Sequence, residues 1–540
     1  MKPGLQRYGT AILIGVFVFF LLVMTVRDIG LTWDEPAYIA AARSYVNWHE
    51  FVITNPDKAF TQKAIDYSWT INSEHPPLDK AWSGVVWFLT RSFTDDLTAH
   101  RMGNMLLVGV LASLLFLLIR DVYGPWAGGA AVAALLTMPR FFFHAHLAAL
   151  DVPAAVSVFV VTFIFLKTLE RKHWGWDIFL GIAWGLALAT KINAVFIPVV
   201  FGIWWLIFRR DARLFIRFAV MGAIAIPVFI AAWPRLYFQT FERLAEYIGF
   251  VTTDHWEIGQ YYLGEFFMPP PWHFGFVMAW AVLPLSLTIL YVLGFIRSIK
   301  GKEDGGLGWL LFFSALIPIL AIATGQSMVY DNERLIMVSF PFLAGLAGIG
   351  FGWLVSGLEK LSAVRNKPNL SRIGIVILMA LAFVPQLVTM FRLYPHLLSY
   401  YGEGVGGLAG ATRLGLETTY WCETYSLALP IINEQANPGD SIWADPWSHD
   451  VLIYYQTQGY LRDDVQIIAP AQVVSILGAN APSPVTASMQ SADWYVAQSR
   501  QSTLGYEGEA NIIFKTLEKK KLVYEFGFDG VRIFALYQQP

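Results

Sequence analysis

A single cysteine, Cys422, stands in 540 residues, so no internal disulfide can form and cysteine usage says nothing about compartment. Charge is scarce as well. Asp, Glu, Lys and Arg make up 14% of the chain, whereas a soluble globular protein carries about a quarter. A net charge of −2 provides no basic surface, which removes nucleic acid as an expected partner. No Walker A, zincin or nucleophile-elbow pattern occurs. The glycine-rich run YYGEGVGGLAGATRLG (400–415) lacks the strand–turn–helix frame of a dinucleotide site. Internal repeats and low-complexity tracts are missing too. No A-x-A-like cleavage site follows residues 9–26, so that run is expected to stay as a first span rather than leave as a signal peptide.

What is abundant is apolar surface: 56% of residues are hydrophobic and the mean hydropathy is +0.49. The cores of a soluble protein of this length could not bury that much, so lipid must cover the rest. Apolar runs at 9–26, 102–119, 126–143, 153–169, 178–190, 193–208, 214–232, 274–296, 307–323, 335–356 and 373–390 read as eleven spans. A shorter run, 81–90, reads as a helix lying along the interface.

Lys and Arg set the orientation. With the N-terminus inside, every inside segment is basic, from Lys2 and Arg7 through Arg209, Arg210, Arg213 and Arg217 to Lys360, Arg365, Lys367 and Arg372. Arg171, Lys172 and Lys302 follow the same pattern, and the short outside loops hold only Lys191 and Arg334. The reading is a multi-pass cell-membrane protein with a cytoplasmic N-terminus and four outside regions: 27–101, 233–273, 324–334 and the tail after 390. In the tail, SIWAD (441–445), VQIIA (465–469), DWYVAQ (493–498), KLVYEF (521–526) and VRIFALY (531–537) read as strands, with a helix at 446–458. The expected division is a transmembrane domain at 1–390 and a small extracytoplasmic α/β domain at 391–540.

Chemistry-bearing residues collect on the outside. Asp34 and Glu35, in TWDEPAY, are either ordinary acids at a helix start or carboxylates placed to take a proton from a hydroxyl. SEHPPLDK (73–80) holds Glu74 and His75 on a proline-stiffened backbone. FFFHAHLAALDVPAA (141–155) carries His144, His146 and Asp151. The acid suits an N-cap equally well, and two histidines at i and i+2 diverge on a helix, against a metal site. Lys191, in LATK, and Arg334, in YDNERL, are outside cations against the charge rule. Each is a snorkelling end residue or a partner for an anionic lipid phosphate. The aromatic loop HWEIGQYYLGEFFMPPPWHFG (255–275) adds Tyr262 and Glu265 near the interface, where an aromatic belt has the same look.

In this order and on this one side, the Asp-Glu pair, HPPL, the second-loop acid and LATK resemble the GT-C superfamily of glycosyltransferases. The likeness is to the branch of protein O-mannosyltransferases and lipid A aminoarabinose transferase. YYLGE with PPPWHF, YDNERL, and YPHLLSYYGEGVGG with TTYW resemble uncharacterised bacterial members of that branch, over about residues 27–435. The resemblance implies a GT-C fold, a polyprenyl-phosphate-linked sugar donor and an active site at the outer membrane face. By position, Asp34 would be the catalytic base with Glu35 beside it, and Asp151 the second-loop acid. His75, Lys191, Tyr262, Glu265 and Arg334 would hold substrate, the two cations near the donor phosphate. The β-trefoil insert of the protein mannosyltransferases is missing from the sequence, which argues against an identical acceptor. The acceptor stays open among lipid, glycan and protein.

The implied reaction is attack of an acceptor hydroxyl on the anomeric carbon with departure of lipid phosphate, inverting that centre. It demands no cofactor or metal, although oligosaccharyltransferases of the superfamily use a divalent ion. The alternative is a lipid-linked sugar flippase or transporter. Transporters place ionisable groups at mid-membrane on broken helices in repeated halves, whereas these groups sit at span ends.

Overall fold

The computed structural model describes residues 3–540 apart from 171–172, 255–257, 301–303, 326–328, 366, 478–480 and 506–508. Lys2, Arg171, Lys172, Lys302 and the start of the aromatic loop (His255, Trp256, Glu257) lie outside the described residues.

A helix occupies the place of each expected apolar run. Six are long and apolar enough to cross a membrane: Arg7–Asp28, Asp96–Tyr123, Asp151–Glu170, Ala212–Ala231, Arg334–Lys360 and Pro368–Leu393. A seventh would be the pair Phe274–Ala281 and Leu285–Lys300, bent by 116°. The break falls at Val282–Leu283–Pro284, where the proline disfavours helical backbone before it and brings no N–H of its own. Pro125–Leu136, Gly175–Thr190, Ile192–Phe208 and Leu307–Ala323 are shorter. The expected run 126–143 is cut the same way, at Thr137–Met138 before Pro139, and resumes as Pro139–His144.

Helix Arg334–Lys360 is the centre of the bundle, with 94% of its apolar window buried against 28% for Arg7–Asp28 and Pro368–Leu393. Small residues allow its close packing: a Cβ on Gly350 would lie 2.0 Å from the Leu290 carbonyl oxygen, and one on Gly294 would lie 1.9 Å from that of Leu346. In lipid, where apolar surface alone gives little drive for helices to associate, such backbone approach is what packs them.

The region after the first span is more helical than its sequence suggests. Helices Glu35–Thr54, Pro56–Ala59 and Gln62–Trp69 pack Tyr45, Trp48, Ile65 and Trp69 into a small core of their own. Helix Leu78–Thr90 follows, with Phe88 and Leu89 exposed, an apolar face of the kind the interface would cover. In 233–273 a short antiparallel hairpin, β1 (Gln260–Tyr262) with β2 (Glu265–Phe267), turns at Leu263–Gly264, both at positive φ.

The C-terminal region holds a six-stranded mixed sheet: β3 (Ser441–Asp445), β4 (Gln466–Ala469), β5 (Val485–Thr486), β6 (Trp494–Gln498), β7 (Lys521–Phe528) and β8 (Val531–Gln538). Its order is β5-β4-β3-β6-β8-β7, parallel from β5 to β6 and antiparallel beyond. All five expected strands are present. The two-residue β5 is too short to show a period in sequence. One apolar core runs without a break from Val18 and Leu111 in the spans to Trp494 and Leu536 in the sheet, so the sheet is packed onto the bundle.

Candidate active site

Five chain segments bring charge to one point. Asp34 precedes helix Glu35–Thr54, but its carboxylate caps no backbone group. It pairs instead with the Arg334 guanidinium, and the Tyr38 hydroxyl donates to it at 3.2 Å. Asp151 opens the helix Asp151–Glu170. Its Oδ1 accepts from Lys191 Nζ at 2.5 Å and its Oδ2 from Arg334 Nε at 2.9 Å. Arg334, at the start of the central helix, completes its fork on Asp331 through Nη1 at 2.9 Å and lies 4.0 Å above the Trp421 ring. The other Asp331 oxygen accepts from Arg500 Nη2 at 2.7 Å. Three carboxylates (Asp34, Asp151, Asp331) thus alternate with three cations (Lys191, Arg334, Arg500), which leaves the cluster formally neutral. Direct contact also puts the C-terminal end of the first span, the start of Asp151–Glu170, the end of Gly175–Thr190 and the start of Arg334–Lys360 on one side of the bundle.

A cavity of about 550 Å³ opens over this cluster. Trp33, Asp34, Tyr38, His75, Tyr330 and Arg334 line it. Trp447, His449, Asp450 and Arg500, from the C-terminal region, line it too. Burial, reinforced by Asp331 and Asp151 and opposed by Arg334, raises the Asp34 carboxyl above its ordinary value. Burial, and then Lys80, Lys191 and Arg334, hold the His75 imidazole well below its ordinary value, so it is neutral at physiological pH. The loop carrying Asn72, Glu74 and His75 is fixed from beneath by the fully buried Lys80. Its ammonium donates to Asn72 O (2.6 Å), Asn72 Oδ1 (2.9 Å) and His75 O (3.0 Å).

The site residues expected from sequence divide into three groups. Asp34, His75 and Arg334 face the cavity, and Asp151 and Lys191 stand one layer behind it, linked through Arg334. Glu35 points elsewhere. Fully buried, it takes a two-pronged ion pair from Arg101 at 2.7 and 2.6 Å, the Thr32 amide and hydroxyl, and the Ala148 amide. Every lone-pair direction is used in joining three segments. Tyr262 is buried in its hairpin, with its hydroxyl 2.8 Å from His273 Nδ1, and Glu265 is exposed on β2; neither lines the cavity. Ile258 and Gly259, just before that hairpin, do. His144 and His146 diverge, the first toward the Tyr420 hydroxyl and the second toward Thr25 Oγ1.

Asp331, Arg500 and the segment Trp447–Asp450 were not singled out in the sequence. Asp331 had a signal, an acid three residues before the arginine singled out in the sequence. The others follow the carboxyl ends of β6 and β3, where open α/β sheets expose their binding residues. Among the described residues, no three His, Cys, Asp or Glu side chains converge as a metal-ligand set. The three acids of the cluster, Asp34, Asp151 and Asp331, all converge on the Arg334 guanidinium.

Residues 74–237 match the family described as dolichyl-phosphate-mannose-protein mannosyltransferase. No curated protein is significantly similar in sequence. Among solved structures, ArnT from Cupriavidus metallidurans in the apo state is similar with a TM-score of 0.52 and 16% identity, over 98% of this chain and 97% of that one. The same ArnT bound to undecaprenyl phosphate gives 0.51 and 16%, over 98% of each chain. The apo oligosaccharyltransferase of Archaeoglobus fulgidus gives 0.51 and 12%, over 98% of this chain and 74% of that one. The chain has the fold of the GT-C glycosyltransferases, and its residues 74–237 carry the sequence pattern of the mannosyltransferase family.

Proposed function

We propose that this protein is a membrane glycosyltransferase that moves a sugar from a polyprenyl-phosphate donor to an acceptor hydroxyl, with Asp34 as the base. The observation that carries the reading is the sharing of one cavity by Asp34 and Arg334, a potential base beside a potential phosphate ligand. A GT-C structure of similar fold holds undecaprenyl phosphate, which supports the donor class.

Each nitrogen of the Arg334 guanidinium faces a carboxylate, so a phosphate gains a two-pronged grip on an edge of the fork by displacing one of them. Asp34 is the displaceable partner: its side chain is 25% exposed, against 1% for Asp151 and 5% for Asp331. Once released, Asp34 can accept the proton of the attacking hydroxyl while the guanidinium stabilises the departing phosphate. One well-aimed donor in such a role is worth about 3 kcal/mol. Attack opposite the leaving phosphate inverts the anomeric centre. Lys191 acts through Asp151, which it holds in place against Arg334. The excess of Lys and Arg at the opposite span ends favours a cytoplasmic N-terminus, and so an extracytoplasmic site and C-terminal region. All eleven apolar helical units are taken to cross the bilayer, with exposed apolar side chains of the shorter ones, such as Phe179, Val199 and Leu206, turned to lipid.

The test uses detergent-purified protein, a panel of polyprenyl-phosphate sugars and an envelope extract as acceptor. Release of polyprenyl phosphate with a glycosylated product is expected. A flippase does nothing in the absence of two compartments, so failure with every donor, together with sugar-lipid translocation in vesicles, would reject the reading.

A further inference from the structure

We infer that Trp447, His449 and Asp450 form a subsite for a sugar ring of the acceptor, so that the acceptor is a carbohydrate; this rests on the transferase reading above.

The first observation is topological. In the sheet order β4-β3-β6, the chain leaves β3 toward β4 on one side, and β6 then joins on the other side. That reversal leaves a crevice beyond the carboxyl ends of β3 and β6, the place where open α/β sheets bind ligands. Trp447–Asp450 follow β3 directly and Arg500–Thr503 follow β6, and both stretches line the cavity. The C-terminal region therefore turns its binding edge toward the charged cluster.

The second observation is the chemistry of that edge. Trp447 and His449 lie ring to ring, with centroids 4.8 Å apart and planes 30° apart. The buried Trp447 Nε1 has no hydrogen-bond partner among the described residues. Asp450 is fixed through Oδ1 by Ser475 Oγ at 2.7 Å and the Ile476 amide at 3.2 Å, and its Oδ2 lies 3.4 Å from His449 Nε2. Glu74 and Asn72 also line the cavity. Flat aromatic rings beside the anchored carboxylates of Asp450 and Glu74 match a pyranose, which has C–H faces and a rim of hydroxyls. A phosphate would be repelled by Asp450 and Glu74, and an acyl chain would strand them. An extended peptide adds to an open strand edge, but the edge strands β5 and β7 do not line the cavity. The donor is held by its phosphate at Arg334 in this reading, which leaves the Trp447–Asp450 stretch of the lining to the acceptor.

The test is saturation-transfer NMR on the full-length protein in detergent with a panel of methyl glycosides, which needs no turnover. At least one glycoside should give ring-proton signals. These should weaken about tenfold in Trp447→Ala and Asp450→Asn and persist in Trp447→Phe, which keeps a flat face and guards against misfolding. Polyprenyl-phosphate-mannose added to saturation should leave the glycoside signal in place. Displacement by that donor would assign the subsite to the donor sugar and overturn the proposal. So would binding by no glycoside, binding indifferent to Trp447 and Asp450, or Trp447-dependent binding of Ser/Thr peptides in place of sugars. Failure of the transferase reading shows separately, as no sugar transfer by the wild-type protein from any donor.

Discussion

Asp34 and Arg334, 300 positions apart in sequence, form an ion pair on the wall of the cavity. The pair keeps the carboxylate engaged while no anion competes for the guanidinium. In the proposed reaction, donor binding and release of the base become one event, which favours an order with donor first and acceptor second.

Asp34→Asn should lower turnover by about 10²–10⁴ while the protein still inserts and purifies as a monodisperse species. The amide keeps the size, and Arg334 retains Asp151 and Asp331 as partners. Arg334→Lys should not restore full activity, because an ammonium lacks the planar fork. The measurement is product formation by purified protein, and near-normal turnover in Asp34→Asn would remove this residue as the base.

The pH profile should carry the mark of the same carboxyl. Asp34 must be ionised to accept a proton, and burial raises its pKa. Activity should therefore be lost as pH falls through a limb displaced above the usual carboxylate value of about 4. A kcat/KM profile that is flat down to that ordinary value would contradict the assignment.

Glu35, next in sequence, should behave differently. Glu35→Gln leaves Arg101 buried without its counter-charge, a loss of about 3–5 kcal/mol. Thermal unfolding in detergent should show marked destabilisation or failure to accumulate, with residual activity tracking the folded fraction. A stable Glu35→Gln protein with abolished turnover would place Glu35 in the chemistry instead.

Orientation can be read with almost no background, because Cys422 is the only cysteine and is fully buried. Cysteines introduced in 27–101, 233–273 or the 391–540 tail should react with an impermeant thiol reagent in intact cells. Those placed in 209–217 or 359–372 should react only after lysis. Labelling of the latter pair in intact cells would invert the proposed topology.

Much of the fold was legible because the bilayer imposes one strong rule, long apolar runs, and because alternating strands are bounded by turns such as NPGD (437–440). The helices at 35–69 were hidden, since their apolar residues bury against one another in a small aromatic core rather than forming a long run. In the site, span-end position picked out Asp34, Asp151, Lys191 and Arg334, whose union needed only shared sidedness. It could not separate Asp34 from Glu35. Neighbours on a helix point about 100° apart, so one carboxylate meets the cavity and the other Arg101. Tyr262 and Glu265 drew attention through an aromatic loop whose turn does not line the cavity. Arg500 resembled any charge at the end of a strand until the sheet order showed which edge meets the bundle.

The contact between Arg500 and Asp331 also bears on when the protein becomes competent. A ribosome that has reached residue 393 has made every long apolar helix, together with Asp34, Asp151, Asp331 and Arg334, but neither β3 nor β6. At that stage Asp331 lacks the Arg500 partner, and the cavity lacks the whole wall from Trp447 to Thr503. The reaction chamber is closed by the last quarter of the chain to be synthesised. A nascent or truncated product inserts its bundle with an open site in which three carboxylates face two cations, and a complete chamber reports that translation has finished and the C-terminal region has docked.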